Sequence, residues 1–464
     1  MRRAININIL NDDIFSPFTA QLNNISNEVS GSVQNKKSNR SYIQETKTAM
    51  SVSRAIKDVV VVGAARTPMG GFRGSLSSFS APQLGALAIT AALERAKCPK
   101  EAVDEVYMGA VLQGGMGQAP DRQAALFAGL STSVPCTAVN KVTSSGRTHT
   151  HTLMCFHIVQ VCASGMKSIM QAAQSLQLGH TSVMVAGGME SMSNVPYYMS
   201  RGDTPYGGVP LRDGLVADGL TDVYNKFHMG NCGENTAKKL GISREQQDEY
   251  GVNSYKRAAA AYSSGHIKDE LLEVEVKGKR GKPSTFVTED EEYKKVNFDK
   301  FSKLSTVFQK EGGTVTAGNA STLSDGAAAT VLMTAEAAER LGCKPLARIV
   351  GFADGATEPI DFPIAPKFAT DKLLQQTGVG VGDVDLWEVN EAFSVVVLAN
   401  MLLSELDPAK VNIHGGAVSL GHPLGASGTR IVNHLVFALQ PGQKGVASIC
   451  NGGGGASAIM IEKL

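Results

Sequence analysis

No stretch of this chain is long and apolar enough to cross a bilayer; apolar runs such as FSVVVLANMLL from Phe393 fall well short of a span. No charge of one sign dominates. With 44 basic and 43 acidic residues among 464, no net field points to nucleic acid or to an anionic membrane. Cysteine is sparse: seven residues with no CxxC pair exclude a secreted disulfide framework and argue against zinc. A reducing compartment with one or two reactive thiols fits better. Glycine, by contrast, is abundant, 49 residues clustered in GG pairs and a GGGG run, which mark tight turns or close backbone approach. At 43% hydrophobic and 19% charged, the composition is that of a soluble globular protein large enough for two or three domains.

Residues 1–54 lack the rhythm of the rest and read as a disordered or misannotated leader. Arg2 and Arg3 suit a targeting segment, but Asp12 and Asp13 do not. From Val59 an α/β pattern begins. VVVVGAA reads as a buried parallel strand, and SAPQLGALAITAALERAKCP as a helix capped by Ser80. The more polar stretch 192–323 reads as an inserted lobe, and from about 345 the rhythm resumes to Leu464. Strands alternating with helices imply parallel sheets covered by helices.

One unit occurs twice. ASGMKSIMQAAQSLQLG from Ala163 and ASGTRIVNHLVFALQPG from Ala426 each reach a glycine sixteen positions on. Each is followed by an apolar strand and a glycine pair. Cys162 precedes the first copy and His422 lies just before the second. Two related halves that each donate a reactive residue point to an active site at their junction. A Cys at a helix start is expected to have a lowered pKa and to serve as a thiolate nucleophile. Its plainer reading is a small buried hydrophobe. Cys450, in CNGGGGA, sits where a thiol can exchange a proton and glycine-rich amides can face an oxyanion; it too reads alternatively as a core Cys. Asn390, in VNEAF, is either a polar site residue or a helix cap.

Together, CASGMKSIM, GGMESMSNVPY, VNEAF, GGAVSLGHPLGASG and CNGGGGASA resemble the signatures of the thiolases, from about Val59 to Leu464. QGGMGQAPDRQAAL, YGGVPL, FQKEGGTVTAGNAS and EPIDFPIAP are similar to the mitochondrial acetoacetyl-CoA thiolase subgroup. The resemblance implies two duplicated βαβαβαββ halves in a five-layered αβαβα α/β fold, 55–344 and 345–464, with 192–323 as a coenzyme A-binding loop domain. It implies reversible condensation of two acetyl-CoA to acetoacetyl-CoA and CoA, through an acyl-Cys162 intermediate. His422 takes the thiol proton and Cys450 exchanges the carbon-bound proton. Asn390, through a water, and His422 hold one thioester oxygen, and the Cys162 and Gly452 amides hold the other. By the same resemblance Tyr255, Lys295, Val296, Asn297, Lys300, Ser321, His228 and Met229 match CoA-contacting positions. Tyr255, Ala317, Gly318, Ala320 and Val418 match potassium ligands. Lys295 and Lys300 read equally well as a solvated charged face. A homo-oligomer, dimer or tetramer, and a mitochondrial location, with cytoplasmic as the alternative, are also implied.

The chain departs from the family at one place. Family members run directly from NKV into CASG; here residues 143–161 intervene. His149, His151 and His157 within them suggest a metal, but nothing supplies ligand spacing, and a retained intron or gene-model error is the preferred reading. Two alternatives stay open: a 3-ketoacyl-CoA thiolase of broader chain length, and an impaired homologue that binds CoA or its partner subunits without reacting.

Overall fold

The protein is described here from a computed structural model, which covers residues 56–140, 161–202, 205–278 and 281–464. The leader 1–54, and residues 143–160 with their three histidines, lie outside the described residues.

The first strand, Val59–Arg66 (β1), is buried along its whole length. Its alternate residues feed two cores, Val60 and Val62 on one face and Val59 and Val61 on the other. The helix Ala81–Ala96 (α1) begins as its sequence dictates. Ser80 accepts from the Gln83 amide, and the Gln83 side chain returns to Ser80 N at 2.8 Å. The chain continues through Glu105–Gly109 (β2), Pro120–Phe127 (α2), Cys136–Val139 (β3), Ser164–Gln177 (α3) and Val183–Ser191 (β4). Between β4 and the strand Ser324–Thr334 (β5) lie three short antiparallel strand pairs. The same interval holds the helices Gly230–Leu240 (α4) and Arg244–Ser264 (α5). The second half is Ala347–Ala356 (β6), Ala365–Thr377 (α6), Leu386–Val389 (β7), Ser394–Ser404 (α7), Leu424–Ala438 (α8), Lys444–Asn451 (β8) and Gly455–Lys463 (β9).

The duplication is complete at the level of topology. The first half orders its strands β1-β5-β4-β2-β3, and the second β6-β9-β8-β7. A parallel bridge from Trp387 to Val411 supplies the counterpart of β3. Both first strands shift register at a glycine, Gly63 in β1 and Gly351 in β6. The two sheets join where β1 meets β6, Val60 opposite Arg348. Helices α3 and α8 pack between the sheets, while α1 covers the outer face of one sheet and α6 that of the other. That gives the five layers αβαβα.

The expectation of parallel pairing holds for β2–β3, β2–β4 and β7–β8 and is corrected elsewhere. β1 pairs antiparallel on both sides, and β5 is antiparallel to β1 and β4. A continuous apolar run reports burial on two faces, and both pairing modes provide that in a sheet covered on each side.

Candidate active site

The two central helices bring the two reactive segments together. Cys162 lies in the turn leading into α3, two residues before its first residue, and is buried. The Val161 carbonyl holds that turn, accepting from Ser164 N at 3.3 Å and Ser164 Oγ at 2.9 Å. His422 lies just before α8, and Cys450 is the penultimate residue of β8, whose residues from Gly445 to Asn451 are all buried.

Four glycines make this convergence possible. A Cβ on Gly188 would lie 1.9 Å from the Gly425 carbonyl oxygen, and one on Gly165 would lie 2.5 Å from the same atom. A Cβ on Gly109 would lie 2.5 Å from Gly165 N. The ends of β2 and β4 and the starts of α3 and α8 therefore touch backbone to backbone beneath the site.

The backbone amides of Cys162 itself and of Gly452 favour the charged form of the Cys162 sulfur. Burial, and then the nearby Glu190 carboxylate, push this thiol up to about 12. The lowered pKa expected from a helix start is thus corrected: loss of solvent outweighs the dipole and the two amides. Burial and the neighbouring Cys162 likewise raise Cys450.

His422 Nδ1 lies 2.6 Å from Ser427 Oγ, and that hydroxyl donates to the Pro423 carbonyl at 3.0 Å. A hydroxyl has one proton, so Nδ1 carries the imidazole hydrogen and donates it to Ser427. Nε2 is left as a lone pair, buried and without a partner among the described residues. Burial, and then Arg430, lower His422 to about 3, so the imidazole stays neutral and able to take a proton.

Asn390 is fully buried, and neither atom of its side-chain amide has a partner among the described residues. It is not a helix cap: α7 starts after Phe393, with no side-chain cap. Neighbouring Glu391 accepts from Tyr250 and Ser254 at 2.8 Å and from Val418 N at 2.9 Å, fixing the glycine-rich loop that leads to His422.

A cavity of about 650 Å³ opens at His422, lined mainly by apolar groups including Phe308, Phe393 and Leu424. His228, Ser321, Ala317 and Ala320 also line it. His228 stacks on Phe308 with centroids 4.6 Å apart, and Met229 packs in the same apolar cluster as Cys450. Tyr255 and Val418 meet around Phe301, with Val296 against them. A Cβ on Gly318 would lie 2.8 Å from Phe301, which places that backbone in the same cluster. Lys295 does not line the cavity; it pairs on the surface with Glu292 at 2.7 Å and Glu291 at 3.5 Å. Asn297 caps the short helix Phe298–Phe301, donated to by Lys300 N. Among the described residues no cluster of three or more His, Cys, Asp or Glu is arranged to hold a metal.

Sequence reasoning missed Glu190 and Ser427. Both stood inside quoted motifs, GGMESMS and GHPLGASG. For Ser427 the signal was its spacing five residues beyond His422. For Glu190 only its place near the end of an otherwise small and apolar strand hinted at burial.

The thiolase N-terminal domain model matches residues 59–154 and 148–336, and the thiolase C-terminal domain model matches 343–463. The first match breaks where residues 143–161 intervene. The mitochondrial acetyl-CoA acetyltransferase of Xenopus tropicalis is 63% identical over 411 residues, 89% of this chain and 93% of that protein. The human mitochondrial acetyl-CoA acetyltransferase is 62% identical over 409 residues, 88% and 91% of the two chains. Among solved structures, an Ascaris suum thiolase in complex with coenzyme A superposes with a TM-score of 0.81 at 44% identity, covering 88% of this chain and all of that one. Human mitochondrial 3-ketoacyl-CoA thiolase gives 0.80 at 36% identity, with the same coverage.

Proposed function

Since this chain belongs to the thiolase family, we propose that it is an acetyl-CoA C-acetyltransferase that interconverts two acetyl-CoA with acetoacetyl-CoA and CoA. The observation that carries this reading is the backbone-to-backbone packing of the segments that hold Cys162 and His422, with Cys450 neighbouring Cys162. Relatives named acetyl-CoA acetyltransferase support the short-chain assignment.

In the first half-reaction the Cys162 sulfur attacks the thioester carbonyl of acetyl-CoA. His422 Nε2 takes the thiol proton and delivers it to the departing CoA sulfur, leaving acetyl-Cys162 and CoA. The thiol's high pKa means that it gives up its proton during attack rather than beforehand. The Cys162 and Gly452 amides bind the oxyanion; one such donor is typically worth about 3 kcal/mol in the barrier. In the second half-reaction Cys450 first cedes its thiol proton to His422 Nε2 and then takes a methyl proton from a second acetyl-CoA; His422 returns its proton to Cys450 once Cys162 has been reprotonated. The carbanion forms a carbon–carbon bond to the acetyl carbonyl, and the Cys162 sulfur leaves and recovers a proton from Cys450. His422 and Asn390 face the second thioester oxygen. Asn390's two unpartnered amide atoms suit a water-mediated contact there.

The cavity at His422 receives the pantetheine arm of CoA, beside His228, Met229 and Ser321. Tyr255, Lys295, Val296, Asn297 and Lys300 form the outer end of that site, where Lys295 must leave Glu292 to meet a phosphate. A potassium ion would be held by oxygens of Tyr255, Ala317, Gly318, Ala320 and Val418, and its charge would brace the loops on either side of the cavity. We assign 55–344 and 345–464 as the two halves, 192–323 as the CoA lobe, a dimer or tetramer as the assembly, and the mitochondrion as the location.

The test is chain-length profiling of the purified protein with acetoacetyl-CoA and longer 3-ketoacyl-CoA substrates, together with trapping of acetyl-Cys162. Preference for acetoacetyl-CoA supports the assignment. Preference for longer chains favours the broader thiolase, and absence of acyl-enzyme favours the impaired homologue.

A further inference from the structure

One wall of the cavity at His422 is built from two segments laid side by side. Val307 N donates to the Val315 carbonyl at 3.0 Å, and Thr306 bridges antiparallel to Thr316. Val307, Phe308, Thr316 and Ala317 of these segments line the cavity. Helix α4 touches both. Its first residue, Gly230, meets Phe308 so closely that a Cβ there would lie 2.1 Å from the ring. Glu234 follows one turn later on the same face and is buried. Its carboxylate accepts from Thr314 N at 2.8 and 3.0 Å, from Thr314 Oγ1 at 2.7 Å and from Val315 N at 2.9 Å. Asn319 closes the turn beyond. It accepts from Thr316 N at 2.8 Å and donates to the Thr314 carbonyl at 3.0 Å and to Asp248 of α5 at 2.8 Å.

We propose that Glu234 is a positioning residue for coenzyme A: it ties Thr314 and Val315 to α4, on which Phe308 also rests, and so sets the wall against which the pantetheine arm packs. Apolar wall groups touch a ligand only where the backbone puts them. Here that backbone carries N–H groups that no helix or sheet ladder satisfies, and a buried donor without an acceptor is costly. Remove the carboxylate, and the 314–316 segment must shift to find new partners. It takes Val307 and Phe308 with it through their shared bridge.

This inference rests on the reading that the cavity receives the pantetheine arm, but not on acetyl transfer. Its readout is calorimetric titration of the full chain with CoA, in the unsubstituted protein, Glu234→Met and Glu234→Gln, beside kcat and KM for acetoacetyl-CoA thiolysis. Glu234→Met keeps an unbranched side chain but offers no oxygen. Its Kd for CoA should rise roughly tenfold, about what loss of one charge-assisted hydrogen bond produces. KM should rise with it while kcat changes by less than about threefold, because other segments carry the reactive trio. Glu234→Gln keeps an oxygen for Val315 N, and the Thr314 hydroxyl can turn to accept from the new amide, so most of the affinity should return. An unchanged Kd in Glu234→Met, with only its urea midpoint lowered, would show that the carboxylate merely braces the fold, and the proposal would be overturned. Equal affinities of the two variants, or a loss of kcat with Kd and KM unchanged, would overturn it as well. An unsubstituted protein that takes no CoA overturns the reading of the cavity and this proposal together, a different signature from variants that bind alike. Should Glu234→Met not fold, Thr314→Val decides. It removes only the hydroxyl donor and should raise Kd about threefold with kcat kept; an unchanged Kd there sinks the proposal.

Discussion

Gly188→Ala tests whether backbone contact beneath the site sets the catalytic geometry. The new Cβ would lie 1.9 Å from the Gly425 carbonyl oxygen and 2.7 Å from its carbon. Ordinary contact begins near 3.4 Å, so the end of β4 and the start of α8 must part by about 1.5 Å. Neither can yield as a side chain would, since both are backbone in fully buried elements. Overpacking of this kind costs about 3 kcal/mol or more in stability. The separation also moves His422 and Gly425 away from Cys162 and Glu190. A misplacement of about 1 Å in a catalytic constellation costs on the order of 10²-fold in rate. Gly188→Ala should therefore lose at least about a hundredfold in kcat/KM for acetoacetyl-CoA thiolysis. Its urea midpoint should fall as well. Gly382→Ala is the control, because its Cβ meets nothing within 4 Å. If the two variants matched in rate and in urea midpoint, the idea that glycine contact places the site would fail.

Cys162→Ala should form no acyl-enzyme and show no turnover, while Cys450→Ala should still be acetylated by acetyl-CoA yet lose condensation; radiolabelled acetyl-CoA distinguishes the two. Glu270→Gln should destabilise the protein by about 3–5 kcal/mol near neutrality, since it leaves buried cations underpartnered. Burial opposes the charge on Glu270, but Arg66 at 2.7 Å and His434 at 2.8 Å outweigh it and hold the carboxyl down to about 2. A depressed carboxyl stabilises the fold above its unfolded value and loses that contribution as pH falls. The gap between the two proteins in urea unfolding should thus narrow from about pH 4.5 towards about pH 2. Deleting residues 143–161 puts Val142 directly before Cys162, in the place of Val161, and should leave a protein at least as stable and as active. A fully active full chain whose deletion variant is dead would make the segment a functional element.

The sequence by itself determined a good deal of this protein. The buried strand at Val59, the Ser80 capping box and the doubled unit at Ala163 and Ala426 are local patterns. They follow from side-chain period and capping chemistry, which act over a few residues. The expectation for Cys162 and His422 came from their equivalent settings before the doubled unit, and that for Cys450 from its glycine-rich motif and the family resemblance. The tertiary structure decided what depends on distant neighbours. The direction of strand pairing was one such matter, since an apolar run does not record which way its partner runs. The ionisation of Cys162 was another. A helix start argues for a low pKa, but desolvation and a carboxylate from β4 reverse it. Glu190 meets Gly425 across 235 positions of sequence. No local pattern encodes that meeting, because it exists only once two sheets, two central helices and four bare glycine backbones have closed on one another.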